Sequence, residues 1–216
     1  MSPDLINTML AVFVTFFVLI DAVGVAPVFA ALTRPGGPAF ARRMAVRSVI
    51  VAATIITGFA VGGAWLLGAL HISIDAFRAA GGALLFLIAV EMVFEKRTER
   101  RGHRAEMVLS EEGHEDLDDV SVFPVGIPML AGPGSIATAM LYMKDAGPDL
   151  VQQAVVIGAI LANLALCLVI FLAAGPLLRL VGDSVAGAIT RIFGVILAAL
   201  SVQLLIDGLK GAFGLA

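Results

Sequence analysis

The chain has 216 residues, 60% of them hydrophobic and 14% charged, with a mean hydropathy of +1.01 and a formal charge of −3. Soluble domains carry about 25% charged residues, so no water-soluble fold could hide this much apolar surface. The small charge, with basic residues at the ends of apolar runs rather than on one folded face, excludes a nucleic-acid partner.

Residues 5–20, 48–70, 120–143 and 150–178 are free of charge, and runs of about 18 or more suggest helices crossing a bilayer. Nothing alternates over the roughly ten residues of a membrane β-strand, which leaves helices as the spanning element. The sequence predicts an all-α membrane protein with six transmembrane helices, at 5–32, 45–70, 76–94, 121–143, 150–175 and 189–208. Met1-Ser2-Pro3-Asp4 lacks the basic stretch of a cleaved signal peptide, so the first helix is expected to stay in the protein.

In the first span Asp21 follows the sixteen uncharged residues 5–20. A rise of about 1.5 Å per residue puts it beyond the bilayer middle. Burying an ionised carboxylate there costs at least about 2.5–3.5 kcal/mol. Asp21 must therefore be protonated, paired or in a wet cavity: it is either a proton or cation site or the partner of Arg34 or Arg47. Gly24 and Pro27 follow and weaken the helix.

In the second span Thr54 and Thr57 are read as interhelical glue, Trp65 as an interfacial anchor and His71 as solvated. The third begins at Phe77-Arg78-Ala79-Ala80-Gly81 and reaches Glu91 after twelve uncharged residues, so it must snorkel its ends. The connection 95–120, basic first and acidic later, reads as a solvated cytoplasmic linker between residues 1–94 and 121–216. Its His103 and His114 stand among carboxylates, a weak pattern for a metal, and neither a metal nor a cofactor is expected.

The fourth span carries Pro124, Pro128 and Ala131-Gly132-Pro133-Gly134-Ser135, with Thr138 one turn on. A helix starting at Pro133 would present N–H groups and a positive dipole end to a carboxylate, with hydroxyls nearby. The alternative for Ser135 and Thr138 is a hydroxyl bonding its own helix. The fifth span holds Asn163 and the single cysteine, Cys167, and the sixth Gln203; each is read as packing or glue. Tyr142, like Trp65, is read as an anchor.

The sixth span opens with Thr190-Arg191-Ile192-Phe193-Gly194, matching the Arg-Gly spacing of Phe77-Arg78-Ala79-Ala80-Gly81 at an offset of 113, while Gly24 and Gly134 match at 110. Two tandem three-helix units must enter the membrane from opposite sides, so the repeat is of inverted topology with its first and fourth helices broken. Connections at 33–44, 95–120 and 176–188 hold nearly all Arg and Lys, which puts them in the cytoplasm and both termini outside. Arg78 and Arg191, starting helices of opposite direction, are candidate gates; snorkelling is the alternative.

With these motifs, in particular Asp21-Ala22-Val23-Gly24-Val25-Ala26-Pro27 and Phe123-Pro124-Val125-Gly126-Ile127-Pro128-Met129-Leu130-Ala131-Gly132-Pro133-Gly134-Ser135, the chain resembles the MarC family of bacterial inner-membrane proteins along nearly its whole length. That family includes transporters of small neutral amino acids and is grouped with LysE-like exporters. Ala22 stands where the family's first motif has proline, which implies a less broken first helix. The resemblance implies a multi-pass protein of the bacterial inner membrane with both termini periplasmic. The expected function is secondary transport of glycine- or alanine-class amino acids coupled to protons or sodium, with oligomers possible. Gly24, Gly132, Pro133, Gly134, Ser135 and Thr138 are the expected substrate residues and Asp21 the ion-coupling one. A drug or metabolite exporter and a non-transporting scaffold are the alternatives. An enzyme is not expected, since no span centre holds a His or a second Asp.

Overall fold

The computed structural model describes residues 3–94, 102 and 119–215, with the backbone alone for Pro3, Asp4, 175–184 and Ala186. The linker expected at 95–120, with His103 and His114, therefore lies outside the described residues except for Gly102, Asp119 and Val120.

Regular structure among the described residues is helical: α1 (Pro3–Ile20), α2 (Ala22–Thr33), α3 (Gly37–Ala69), α4 (Ile74–Val93), an irregular coiled segment (Ser121–Leu130), α5 (Pro133–Asp145), α6 (Leu150–Leu172) and α7 (Ala174–Phe213). By length and composition four stretches can cross a membrane, Leu5–Ala69, Ile74–Val93, Leu150–Leu172 and Gly187–Phe213; Ser121–Leu130 and Pro133–Asp145, bent by 57°, together make a fifth. As a straight rod the 65 residues of Leu5–Ala69 would run about 100 Å, three times the hydrocarbon thickness. The chain turns instead at Arg34–Gly36, and Gly37 takes a positive φ of 70° there.

Contacts fix the relative directions. Thr15 meets Tyr142 and Leu19 lies beside Gly134, so α1 runs antiparallel to α5. Val51 abuts Gly126 and Met140 abuts Gly63, so α3 runs parallel to the irregular segment and α5. Gly208 packs on Ala79, Gly82 on Leu205 and Gly194 on Met92, making α4 and α7 antiparallel. Asn163 donates to the Phe13 carbonyl at 2.8 Å and Phe171 stacks on Phe29, which sets α6 parallel to α1 and α2. Thus α1–α2, α4 and α6 run one way, and α3, the segment 121–145 and α7 the other.

Phe16, Phe29, Met44, Ile56, Leu130 and Ile160 are fully buried, yet Ile50, Val61, Leu87, Val169 and Val195 lie on the outside. An apolar interior with an equally apolar exterior is what a lipid solvent demands. Asn163 bonds across helices as expected, whereas Thr54, read as interhelical glue, bonds the Ile50 carbonyl of its own helix, the local acceptor one turn back.

Two expected connections are helical instead. Most of 33–44 belongs to α3, which starts at Gly37 because Pro38 suits a first turn that needs no N–H. Likewise 176–188 is part of α7, a 40-residue helix with Pro176 in its opening turn. Apolar run length marks the membrane-soluble part of a helix and cannot register its extension into water.

A Cβ at Gly82 would lie 2.7 Å from the Leu205 nitrogen and 2.8 Å from the Ser201 oxygen, both backbone atoms that cannot swing away. Overpacking costs about 1–3 kcal/mol, so Gly82→Ala should lower the melting temperature in detergent by about 2–10 °C. Gly158→Ala, with nothing within 4 Å, should hold or raise it; a thermal melt of the two variants checks the difference.

Candidate functional site

The first break is a single residue. Asp21 sits between α1 and α2 in the left-handed region, φ 52° and ψ 54°, which Asp tolerates better than most side chains but which still costs about 1–3 kcal/mol. Hydrogen bonding passes through it almost intact, from Asp21 N–H to the Phe17 carbonyl at 3.2 Å and from Val25 N–H to the Asp21 carbonyl at 3.0 Å. With alanine at 22 the helix is kinked rather than opened.

The Asp21 carboxylate is fully buried. Oδ1 accepts the Gly24 N–H at 3.2 Å, capping α2, and the Thr190 hydroxyl of α7 donates to the carboxylate, 3.2 Å from each oxygen. A Cβ at Gly24 would fall 2.3 Å from Asp21 Oδ2 and 2.5 Å from Thr190 Oγ1, so only glycine admits this cluster. Arg47, weighed above as a partner for Asp21, pairs with Asp119 at 2.5 Å, and Arg34 is exposed.

The second break is longer. Phe123 and Ile127 have extended backbone, their bonds to Pro124 and Pro128 are cis, and Val125 and Ala131 N–H groups reach five residues back to the Val120 and Gly126 carbonyls. Gly132 leads into α5 in an extended conformation with no side-chain cap, and Pro133 occupies the first turn. The Ser135 hydroxyl donates to the Leu130 carbonyl at 3.0 Å, so it satisfies the break itself. A Cβ at Gly134 would meet Leu85 and Ile88 of α4 at 2.9 Å and Leu19 of α1 at 3.3 Å. Leu19 is two residues from Asp21, so the two breaks adjoin, with these three apolar side chains filling the space. Each break glycine packs on the last helix of the other half: Gly24 on α7, Gly134 on α4.

A cavity of about 130 Å³ opens between α1, α4, α5 and α7, its polar wall made by Thr15, Thr138, Tyr142, Asp145 and Gln203 and the rest by leucines. That is near the roughly 150 Å³ of an apolar cavity that admits benzene. The Thr138 hydroxyl on its wall is 2% exposed and has no hydrogen-bond partner among the described residues. Thr138 lies one helical turn from Gly134, so the cavity runs toward the second break. At its far end Asp145 pairs with Arg78, which also lies 3.8 Å from Asp75.

The candidate residues thus fall into three places. Asp21 and Gly24 form one cluster, Gly132, Pro133, Gly134 and Ser135 the neighbouring break, and Thr138 the cavity. Arg78 stands at the cavity end; Arg191 is exposed and lies at the opposite end of the antiparallel α4–α7 pair. Thr190, Thr15 and Asp145 have no direct local mark as site residues, and Tyr142, read as an anchor, lines the cavity instead. The one available signal was polarity inside an apolar run, at Thr15.

On the side of the molecule away from Asp145, the irregular segment is anchored by Asp119. Its carboxylate accepts the N–H and hydroxyl of Ser121 and pairs with Arg47 of α3. The Ser121 hydroxyl, with smaller help from the Ser121 N–H and Arg47, holds the Asp119 carboxyl below its ordinary value against a partial burial that pushes it up.

The sequence profile of the MarC family integral membrane proteins matches residues 6–213. The chain is 36% identical to a UPF0056 membrane protein of Methanocaldococcus jannaschii over 200 residues, 93% of this chain and 95% of the relative. It is 33% identical to one of Pyrococcus abyssi, covering 98% and 99%, and 33% identical to the UPF0056 membrane protein YvbG of Bacillus subtilis, covering 94% of each. No solved structure matches.

Since Asp119 is lowered on folding, its contribution to stability is present above its unfolded value of about 3.9 and is lost as pH falls through the lower folded value. Asp119→Asn should remove that acid-side loss while leaving neutral-pH stability within about 1 kcal/mol, because the pair is about half exposed. Melts from pH 3 to 7 read both effects. At the first break Gly24→Ala should push Thr190 off Asp21 and lower stability by about 1–3 kcal/mol, and Gly24→Ser no less; a denaturation midpoint equal to wild type for both would remove the close-approach argument.

Proposed function

The chain belongs to the MarC family of integral membrane proteins, and from that premise we propose that it is a secondary transporter of small neutral amino acids coupled to protons or sodium. The observation that carries the reading is Asp21, a carboxylate fully buried in a lipid-exposed bundle, set in a helix break and touched by a hydroxyl from the other half of the chain. An ionisable side chain buried within membrane-spanning helices is costly, and such groups mark ion or proton paths.

The alternating helix directions support six crossings arranged as inverted halves 1–94 and 121–216, with α1–α2 and 121–145 as the broken spans. In that arrangement the basic connections are cytoplasmic and both termini face outward across the cell membrane. The path runs from Asp145 down the cavity to Thr138, past Gly134 and on to Asp21. Leu19, Leu85 and Ile88 close it midway, and their withdrawal from Gly134 would open it. The uncapped start of α5 offers N–H groups for a carboxylate, while the carbonyls beside Asp21 suit an ammonium.

Size favours small substrates over the drug-export alternative. The cavity holds about 130 Å³ and Tyr142 is its one aromatic wall residue, whereas bulky aromatic drugs need more room and more π surface.

Asn keeps both the left-handed backbone and the cap on Gly24 N–H, so Asp21→Asn should leave the fold intact. In proteoliposomes it should abolish uptake of labelled alanine driven by an ion gradient, by 100-fold or more. Coupled uptake at the wild-type rate would end the role given to Asp21.

A further inference from the structure

Within that transporter reading, on which it rests, the cavity carries a more specific assignment. We infer that Arg78, Asp145 and the cavity beneath them form a recognition site for a small zwitterion with a short aliphatic group. The ligand's ammonium pairs with Asp145 and its anionic group with Arg78.

Charge balance points to the class of ligand. Arg78 pairs with Asp145, the one charged residue described on a cavity wall of leucines, two threonines, Tyr142 and Gln203. A ligand bearing one charge could displace one partner only by turning the other back to solvent or, for Arg78, to Asp75 3.8 Å away, and so forfeits part of what it gains. A ligand bearing both signs replaces each partner with its own opposite charge, and no charge is stranded.

The local chemistry fits each end. Arg78 offers a planar fork suited to a carboxylate. Asp145 closes α5, where the negative end of the helix adds to the attraction for a cation. Gln203, also on the wall, gives its amide N–H to Asp207 and so turns its remaining oxygen to a donor such as an ammonium. Thr15 and Tyr142 share one hydrogen bond, 2.9 Å long, and each keeps a lone pair. Below them Leu85, Leu141 and Leu197 accept a hydrocarbon group, and the unpartnered Thr138 hydroxyl supplies a polar contact at the floor. An ammonium joined to an anionic group occurs in free amino acids and also in phosphatidylethanolamine headgroups; the assignment is to the free molecule.

The 216-residue chain contains a single tyrosine, Tyr142, on the cavity wall, so protein labelled with 3-fluorotyrosine gives one fluorine resonance that reports on this cavity alone. Titration in detergent uses alanine, alanine methyl ester (cation only) and N-acetylalanine (anion only). Alanine should shift the resonance saturably and the single-charge analogues at least tenfold more weakly. Asp145→Asn should invert the order of the analogues in favour of N-acetylalanine, and Arg78→Gln in favour of the methyl ester, a reversal that misfolding does not produce.

Equal responses to all three ligands, no response to alanine, or unchanged preferences in both variants would overturn the site. A shift on moving the ligand-free protein from phosphatidylglycerol to phosphatidylethanolamine nanodiscs, with no further response to alanine, would give the site to a lipid headgroup and overturn the assignment too. Failure of the two readings is separable. Alanine flux without a fluorine response removes this site and leaves transport standing, whereas a fluorine response in protein that carries no alanine does the reverse.

Discussion

Inside a hydrocarbon layer every N–H and carbonyl released by a break in a helix has to find its partner within the protein, because lipid offers none. That constraint organises the centre of this molecule. At the second break the Leu130 carbonyl, freed by the irregular backbone before it, is taken by the Ser135 hydroxyl. At the first, Asp21 caps the Gly24 N–H and is itself met by Thr190. Gly24 and Gly134 are small because partners from the other half of the chain have to come this close. The packing of the two halves and the satisfaction of the breaks are therefore one problem with one solution.

The breaks solve it unequally. Without proline at 22, the first keeps its hydrogen-bond ladder on both sides of Asp21 and bends at one residue. The second, with Pro124, Pro128 and Pro133, abandons the regular ladder for ten residues and turns by 57° into α5. The longer interruption is flanked by two ion pairs, Asp119 with Arg47 at one end and Asp145 with Arg78 at the other.

Much of this was legible from residue type alone. Uncharged runs located the membrane-crossing stretches, and the clusters at 21–27 and 131–135 located the breaks, because Pro and Gly act on the backbone within a few residues of themselves. The profile match then established the family that the motifs suggested. What stayed hidden depended on distance along the chain. Thr190 is 169 residues from Asp21 and Tyr142 is 127 from Thr15, and no local pattern pairs them. The hydroxyls of Ser135 and Thr138, three residues apart in sequence, look alike until the fold gives one a carbonyl and leaves the other facing a cavity. The helix starts at Gly37 and Ala174 were hidden for a different reason: they lie beyond the longest uncharged runs, where polar residues suit helix and loop equally well.

The central claim is that Thr138 and Thr190 lie on one path reached from opposite faces of the membrane. Replacing buried Cys167 by Ala gives a background without thiols, in which a single cysteine at 138 or at 190 can be exposed to a charged, membrane-impermeant thiol reagent on either side of sealed vesicles. The account predicts that a cysteine at 138 reacts from the face bearing Asp145, that one at 190 reacts from the other face, and that alanine slows both. Two unreactive positions, or two that react from the same face regardless of alanine, would contradict it.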